Sequence, residues 1–347
     1  MAKKIEIPLK KKKKDILEEQ EASLDVPDFI YIPLEHKKLV STGSTLIDLE
    51  ISGGRVRGGG MPGGVLVEFS GPSSSGKTAL LVEIGVSVQN KGGEVDIADP
   101  EGRLDRQFSK LRFGLDIEKG HYSRPDTVEE VFNLIEKWEP ENKKKVSMFG
   151  CDSIAALSTE MEMGEGDKRG QKKAKDLASG LRKVARKISK NNKLIIFTNH
   201  EKDGEYGKTT PGGKAVGFHA SLRMRVAKKA TIEKEKKFHG KTIKKKIGIL
   251  TDVTILKTSV DNEGRTVQMY IIHGVGIDDV RANLQYIKDN LGLNKYDACG
   301  KEFKSMDAAI KYIEENDLES ELREKVIDLW EEIEMVFRPQ RKPKVRF

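Results

Sequence analysis

A chain of 347 residues is long enough for one large α/β domain with smaller appendages and an ample core. Its net charge of +8 is modest for that size but unevenly spread: residues 10–14 are an unbroken lysine run and residues 228–246 are dense in lysine, which points to a polyanionic partner. Two cysteines, Cys151 and Cys299, exclude a disulfide framework, and neither a membrane-spanning apolar run nor an apolar signal core is visible, so the sequence reads as a soluble cytoplasmic protein with no membrane contact.

Residues 1 to about 35 are charged and weakly patterned. One short helix fits residues 15–24, and Pro8, Pro27 and Pro33 break the rest. The segment is either an arm docked on a neighbouring subunit or a disordered tail. A core begins near Val40, with Ser41-Thr42-Gly43-Ser44 capping a helix that starts around Thr45. Val65-Leu66-Val67-Glu68-Phe69 reads as a buried strand and residues 79–89 as an apolar helix. Between them, Gly71-Pro72-Ser73-Ser74-Ser75-Gly76-Lys77-Thr78 fits the phosphate-loop pattern G-x-x-x-x-G-K-[ST]. Residues 94–98 form a second strand that ends at Asp99-Pro100-Glu101-Gly102. Helices through Leu104, Phe108 and Leu111 and over residues 127–138 follow.

Residues 146–152 are an apolar run ending in Asp152. Residues 164–175 are polar and lysine-rich and lead into a helix with apolar positions Leu177, Leu181, Val184 and Ile188. A strand over 194–197 ends at Asn199-His200, and 201–218 is a polar loop. Three strand-like runs cover 221–226, 247–256 and 266–272, with the basic segment between the first two read as an exposed hairpin or loop. Helices are expected over 280–291, 306–315 and 318–337. The tail 338–347 alternates basic residues with proline. The alternation of strands and helices around a phosphate loop predicts an α/β fold: a mainly parallel sheet with helices on both faces.

The chemistry follows from residue types. In the loop of Gly71, Pro72, Ser73, Ser74, Ser75, Gly76 and Lys77, with Thr78 and Ala79 opening the helix, backbone N–H groups face phosphate oxygens and the helix N-terminus adds positive potential. Lys77 would reach the β- and γ-phosphates of ATP, and Thr78 with Asp152 would hold Mg²⁺. Glu101, at a strand end near the γ-phosphate, suits a general base that orients water.

Several motifs then coincide. STGS at 41–44 with Leu46 and Asp48, GPSSSGKT, DPEGRLD at 99–105, CDSIAAL at 151–157 and TTPGGKAVGFHASLRMRV at 209–226 resemble, in order and spacing, the RecA/UvsX family of ATP-dependent DNA recombinases. The resemblance covers roughly residues 40–275. It implies a RecA-type core over 40–276, a basic oligomerisation arm over 1–39, a helical subdomain over 277–337 and a basic tail over 338–347. It makes Glu101 the catalytic carboxylate, His200 the γ-phosphate sensor and Lys257 a trans-acting lysine, and places Asp105 and Phe108 against adenine. It assigns DNA contact to two loops, through Lys168, Arg169, Lys172 and Lys173 in the first and Tyr206, Lys208, Thr209, Gly212, Gly213 and Lys214 in the second. Implied partners are single- and double-stranded DNA, further copies of the chain in a helical filament, and single-strand-binding and mediator proteins. The histidine sensor is the phage form, which would make the cytoplasm that of a host.

Three departures stand out. Ser259 occupies the place of the family's second trans lysine, the first loop lacks an apolar wedge, and the C-terminal tail is basic rather than acidic. The expected activity is a DNA-dependent ATPase that pairs and exchanges homologous strands. The alternatives are a RecA-like regulatory or partner-binding ATPase without strand exchange and, less favoured for want of a large N-terminal docking domain, a hexameric helicase.

Overall fold

The computed structural model describes residues 38–117, 121–158, 169–188, 192–204, 207–210 and 214–338. β1 (Leu39–Val40) pairs antiparallel with β2 (Met61–Pro62) around helix α1 (Thr45–Ser52), whose first turn is capped by the Ser44 hydroxyl accepting from Ile47 N. β3 (Leu66–Gly71), buried along its length, runs into α2 (Lys77–Asn90). β4 (Val95–Ala98), α3 (Arg106–Phe113), β5 (Tyr122–Ser123), α4 (Val128–Lys137) and β6 (Ser147–Cys151) follow. Next come α5 (Arg169–Ile188), β7 (Lys193–His200), the antiparallel pair β8 (Lys202–Gly204) and β9 (Gly207–Thr209), and α6 (Lys214–His219). β10 (Leu222–Phe238), β11 (Lys241–Thr258), β12 (Thr266–Ile272) and β13 (Gly276–Ile277) complete the main sheet. α7 (Asp279–Asn290), the hairpin β14 (Tyr296–Ala298) and β15 (Lys301–Phe303), α8 (Met306–Glu315) and α9 (Glu319–Phe337) close the described chain.

The main sheet has nine strands in the order β13-β12-β11-β10-β3-β7-β6-β4-β5. Five neighbouring pairs, from β10–β3 to β4–β5, are parallel, and the three at the other edge are antiparallel. Side-chain alternation splits its core in two. Met148, Leu194 and Ile196 face a cluster with Ile47 and Ile51 of α1 and Leu80, Ile84 and Val88 of α2. Phe149, Ile195 and Phe197 face Val131 and Ile135 of α4, Leu177, Leu181 and Val184 of α5 and Val216 of α6. Helices therefore cover both faces of a mainly parallel sheet.

The basic segment 228–246, expected as an exposed hairpin or loop, is an exposed two-stranded hairpin ribbon, turned at His239 (φ 45°) and Gly240 (φ 76°), the positive-φ pair that two-residue hairpins favour. On one face Lys244 pairs with Glu233 at 2.9 Å and Glu235 at 3.8 Å; on the other, Lys234 reaches Asp307 of α8. The α3 segment turns Leu111 to solvent, 83% exposed. The C-terminal helices are tied to the core by charge: Arg57 binds Glu324, Asp328 and Glu331, and Arg265 joins Glu50 to Glu334. Among the described residues no helix is long and apolar enough to cross a membrane.

Candidate nucleotide site

The carboxyl ends of the parallel strands β3, β4, β6 and β7 meet at one edge, where ligands bind in open α/β sheets. A cavity of about 280 Å³ opens there, lined by Ser74, Ser75, Gly76, Lys77 and Thr78 with Glu101, Arg103, Asp152, His200 and His273. The glycines of the loop are fixed by close packing. Gly71 has φ 153°, and a Cβ there would come within 2.0 Å of the Val226 carbonyl; Gly76 has φ 104°, and its Cβ would meet Ile271 Cδ1 at 2.2 Å. The strands downstream in sequence thus form a roof over the loop, pinned again by Thr251 Oγ1 donating to the Ser75 carbonyl at 3.0 Å. Gly76 gives α2 no side-chain cap, so the helix N-terminus keeps its N–H groups directed at the cavity.

Lys77 Nζ donates to the Gly71 and Pro72 carbonyls at 2.9 and 2.7 Å. Burial pushes its pKa down, opposed by Asp152, Glu101 and Glu201. Thr78 Oγ1 donates to Asp152 Oδ2 at 2.6 Å and Thr198 Oγ1 donates to Oδ1. Burial pushes the Asp152 carboxyl up, and those two donors act the other way. A hydroxyl and a carboxylate so paired, beside an uncapped helix start, form an oxygen donor set that fits Mg²⁺ carried in on phosphates. Glu101 Oε1 accepts from Ser153 Oγ and faces His200 Nε2, each at 3.1 Å, while Arg103 lies 2.8 Å from Oε2. His200 Nδ1 is 3.4 Å from Ser73 Oγ, so this ring bridges the phosphate loop and the carboxylate.

Behind the cavity a buried polar chain crosses three strands. Glu68 of β3 is fully buried; it accepts from Asn199 Nδ2 of β7 at 3.0 Å and from Arg223 Nε of β10 at 2.7 Å. Arg225 of β10 clasps Glu201 through Nε at 2.7 Å and Nη2 at 3.0 Å. Lys257 of β11 donates to the Gly217 and Phe218 carbonyls at the end of α6, both at 3.1 Å.

The structure brings Lys77, Thr78, Glu101, Asp152 and His200 together. It places Lys257 away from that cavity, on the last carbonyls of α6, within its own chain. Asp105 is exposed at the start of α3, whose backbone carries Phe108. Arg169, Lys172 and Lys173 belong to α5 rather than to a loop, and the Lys173 ammonium donates to the Ala155 carbonyl at 3.0 Å and to that of Leu157. Lys208 and Thr209 fall on β9 and Lys214 opens α6. Lys168, Tyr206, Gly212 and Gly213 lie outside the described residues. Sequence reasoning missed Arg103, Ser153, Thr198 and His273. Ser153 directly follows Asp152 and Arg103 sits in the quoted DPEGRLD segment, but no spacing marks Thr198 or His273.

A glycine loop between a central parallel strand and a helix, with a carboxylate from a neighbouring strand on the helix-opening threonine, defines a P-loop nucleotide-binding protein. Residues 33–278 match the model of the RecA N-terminal domain. Relatives include the Protein RecA of Rippkaea orientalis, 31% identical over 304 residues, which are 83% of this chain and 82% of that protein. The Protein RecA of Crocosphaera subtropica is 32% identical over the same shares, and that of Thermus thermophilus is 32% identical over 72% of this chain and 71% of its own. The chain belongs to the RecA family of ATP-dependent DNA recombinases. Its class of activity is that of a DNA-dependent ATPase acting in recombination and repair.

Proposed function

We propose that this protein binds ATP with Mg²⁺ in the cavity at the strand ends, assembles as a helical filament on single-stranded DNA, pairs that strand with duplex DNA, and releases it on hydrolysis. In this reading residues 1–39 form an oligomerisation arm, 40–276 the ATPase core with both DNA loops, 277–337 a helical subdomain and 338–347 a basic tail. The cytoplasm is the site of action, in a host cell for a phage gene. The observation that carries the reading is His200: it contacts both Glu101 and the phosphate loop, and β7 leads from it directly into the segment assigned to DNA. A change at the γ-phosphate is thereby felt where DNA would bind.

Lys77 places a cation on the transferring phosphoryl group, and Glu101 takes the proton of the attacking water. Thr78 and Asp152 would hold Mg²⁺, which supplies charge neutralisation to the β- and γ-phosphates. Asp105 and Phe108 would flank the base. Lysines of the two loops would neutralise DNA phosphates, with Tyr206 stacking on bases for about 1–3 kcal/mol each.

Linkage makes the test two-sided. Single-stranded DNA should raise turnover, and ATP should tighten DNA binding. Replacing Lys208 and Lys214 by alanine should flatten the log–log salt dependence of binding by about 0.7 per lost contact, similarly for all sequences. A parent protein whose ATPase ignores DNA would refute the reading and favour a partner-binding ATPase.

A further inference from the structure

Arg103 stands on the turn between β4 and α3, where Gly102 (φ 64°) bends the chain back to the cavity. The two oxygens of Glu101 are held by different kinds of partner. Oε1 is fixed by Ser153, two residues past the end of β6, and by His200, the last residue of β7, whereas Oε2 meets the Arg103 guanidinium. The Arg103 side chain is 72% exposed and that of Glu101 only 15%. An ion pair whose cation is this open to water contributes little, and a phosphate group competes well for it, because a planar guanidinium matches two phosphate oxygens. The other cation lining the cavity, Lys77, is buried and anchored on two backbone carbonyls.

We propose that Arg103 is a cis-acting arginine that leaves the Glu101 carboxylate for the γ-phosphate of a bound nucleoside triphosphate. The exchange does two things. It sets a second positive charge against the γ-phosphate oxygens, and it frees Oε2 while Ser153 and His200 keep the carboxylate aimed. In hydrolysis the water oxygen then bonds to the γ-phosphorus as its proton passes to Oε2. The bond to the bridging oxygen breaks, and the diphosphate leaves with that electron pair. The proposal rests on Glu101 being the base, as read above, and adds a residue of this chain that acts only when a γ-phosphate is present.

The test compares Arg103→Ala, Arg103→Lys and Glu101→Gln with the parent in two assays: equilibrium binding of ADP and of ATPγS, and ATP turnover on single-stranded DNA. Arg103→Ala should keep ADP affinity within about twofold, bind ATPγS about tenfold more weakly or worse, and lose about 10²-fold in turnover, somewhat below the range of about 10³–10⁵ for arginine fingers. Arg103→Lys should recover part of the ATPγS affinity. Millimolar guanidinium should restore turnover to Arg103→Ala and not to Glu101→Gln. Unchanged ATPγS affinity in Arg103→Ala overturns the proposal, as does an equal loss for both nucleotides, which marks a merely structural turn. Glu101→Gln with normal turnover would sink the assignment of the base instead, and the ADP–ATPγS difference in Arg103→Ala would still decide the role of Arg103.

Discussion

Replacing Arg223 by methionine removes the guanidinium that compensates Glu68, a carboxylate with no solvent exposure on the central strand β3. The variant then keeps a buried charge with Asn199 as its remaining donor, a loss of about 3–5 kcal/mol. Urea unfolding of the parent and variant measures this, and Arg223→Met combined with Glu68→Gln should recover most of the loss. Coupling of DNA to turnover should weaken as well, because a Cβ on Gly217 of α6 would lie 2.9 Å from Arg223 Cζ, so the guanidinium packs directly against the end of the segment proposed to bind DNA. A variant within about 1 kcal/mol of the parent would refute the reasoning.

Lys77→Ala should abolish hydrolysis while the far-UV circular dichroism spectrum stays that of the parent, since it removes a cation on the phosphoryl group and little packing. Gly71→Ala should fail to bind nucleotide and lose about 1–3 kcal/mol in thermal unfolding, because the new Cβ meets the Val226 carbonyl at 2.0 Å. Burial pushes the Asp48 carboxyl up to about 6 from 3.8 despite donors on Ser41 and Thr42. Its contribution is therefore present at low pH and lost as pH rises from about 4 to about 6, up to about 3 kcal/mol. Denaturation midpoints of Asp48→Asn should lack that component of the parent's slope.

Much of the fold was legible because the parallel strands are short, apolar and punctuated. The runs read at 65–69, 94–98, 146–152 and 194–197 correspond to β3, β4, β6 and β7 within one to three residues at each end. The lysine segment was legible only as an exposed hairpin or loop, because residues exposed on both faces lose the alternation that marks a half-buried strand; pairing with β11 decides for the hairpin and carries β10 beyond Val226. The start of α5 at Arg169 was hidden for a related reason: its first turns are charged, and the apolar spacing begins only at Leu177. At the site, the loop glycines, Lys77, Thr78, Asp152 and Glu101 announced themselves by motif. The partners of Glu68 did not, since Asn199 and Arg223 lie 131 and 155 residues away in sequence and meet it only through the strand order. Lys257 shows the same limit in reverse: a motif can match a position, but only the packed structure shows its ammonium on the last carbonyls of α6.

During synthesis the phosphate loop waits for its roof. Gly71 packs under Val226, Ser75 under Thr251 and Gly76 under Ile271, so the loop's covering strands emerge 155, 176 and 195 residues after it. At about 5–20 residues per second the first of them appears roughly 8–30 s later. For most of that interval β3 lacks its neighbours on both sides: β7 ends 129 residues after Gly71 and β10 follows it. A nucleotide cannot help this chain to fold early, because the pocket that would grip it is completed only by the last strands of the sheet to leave the ribosome.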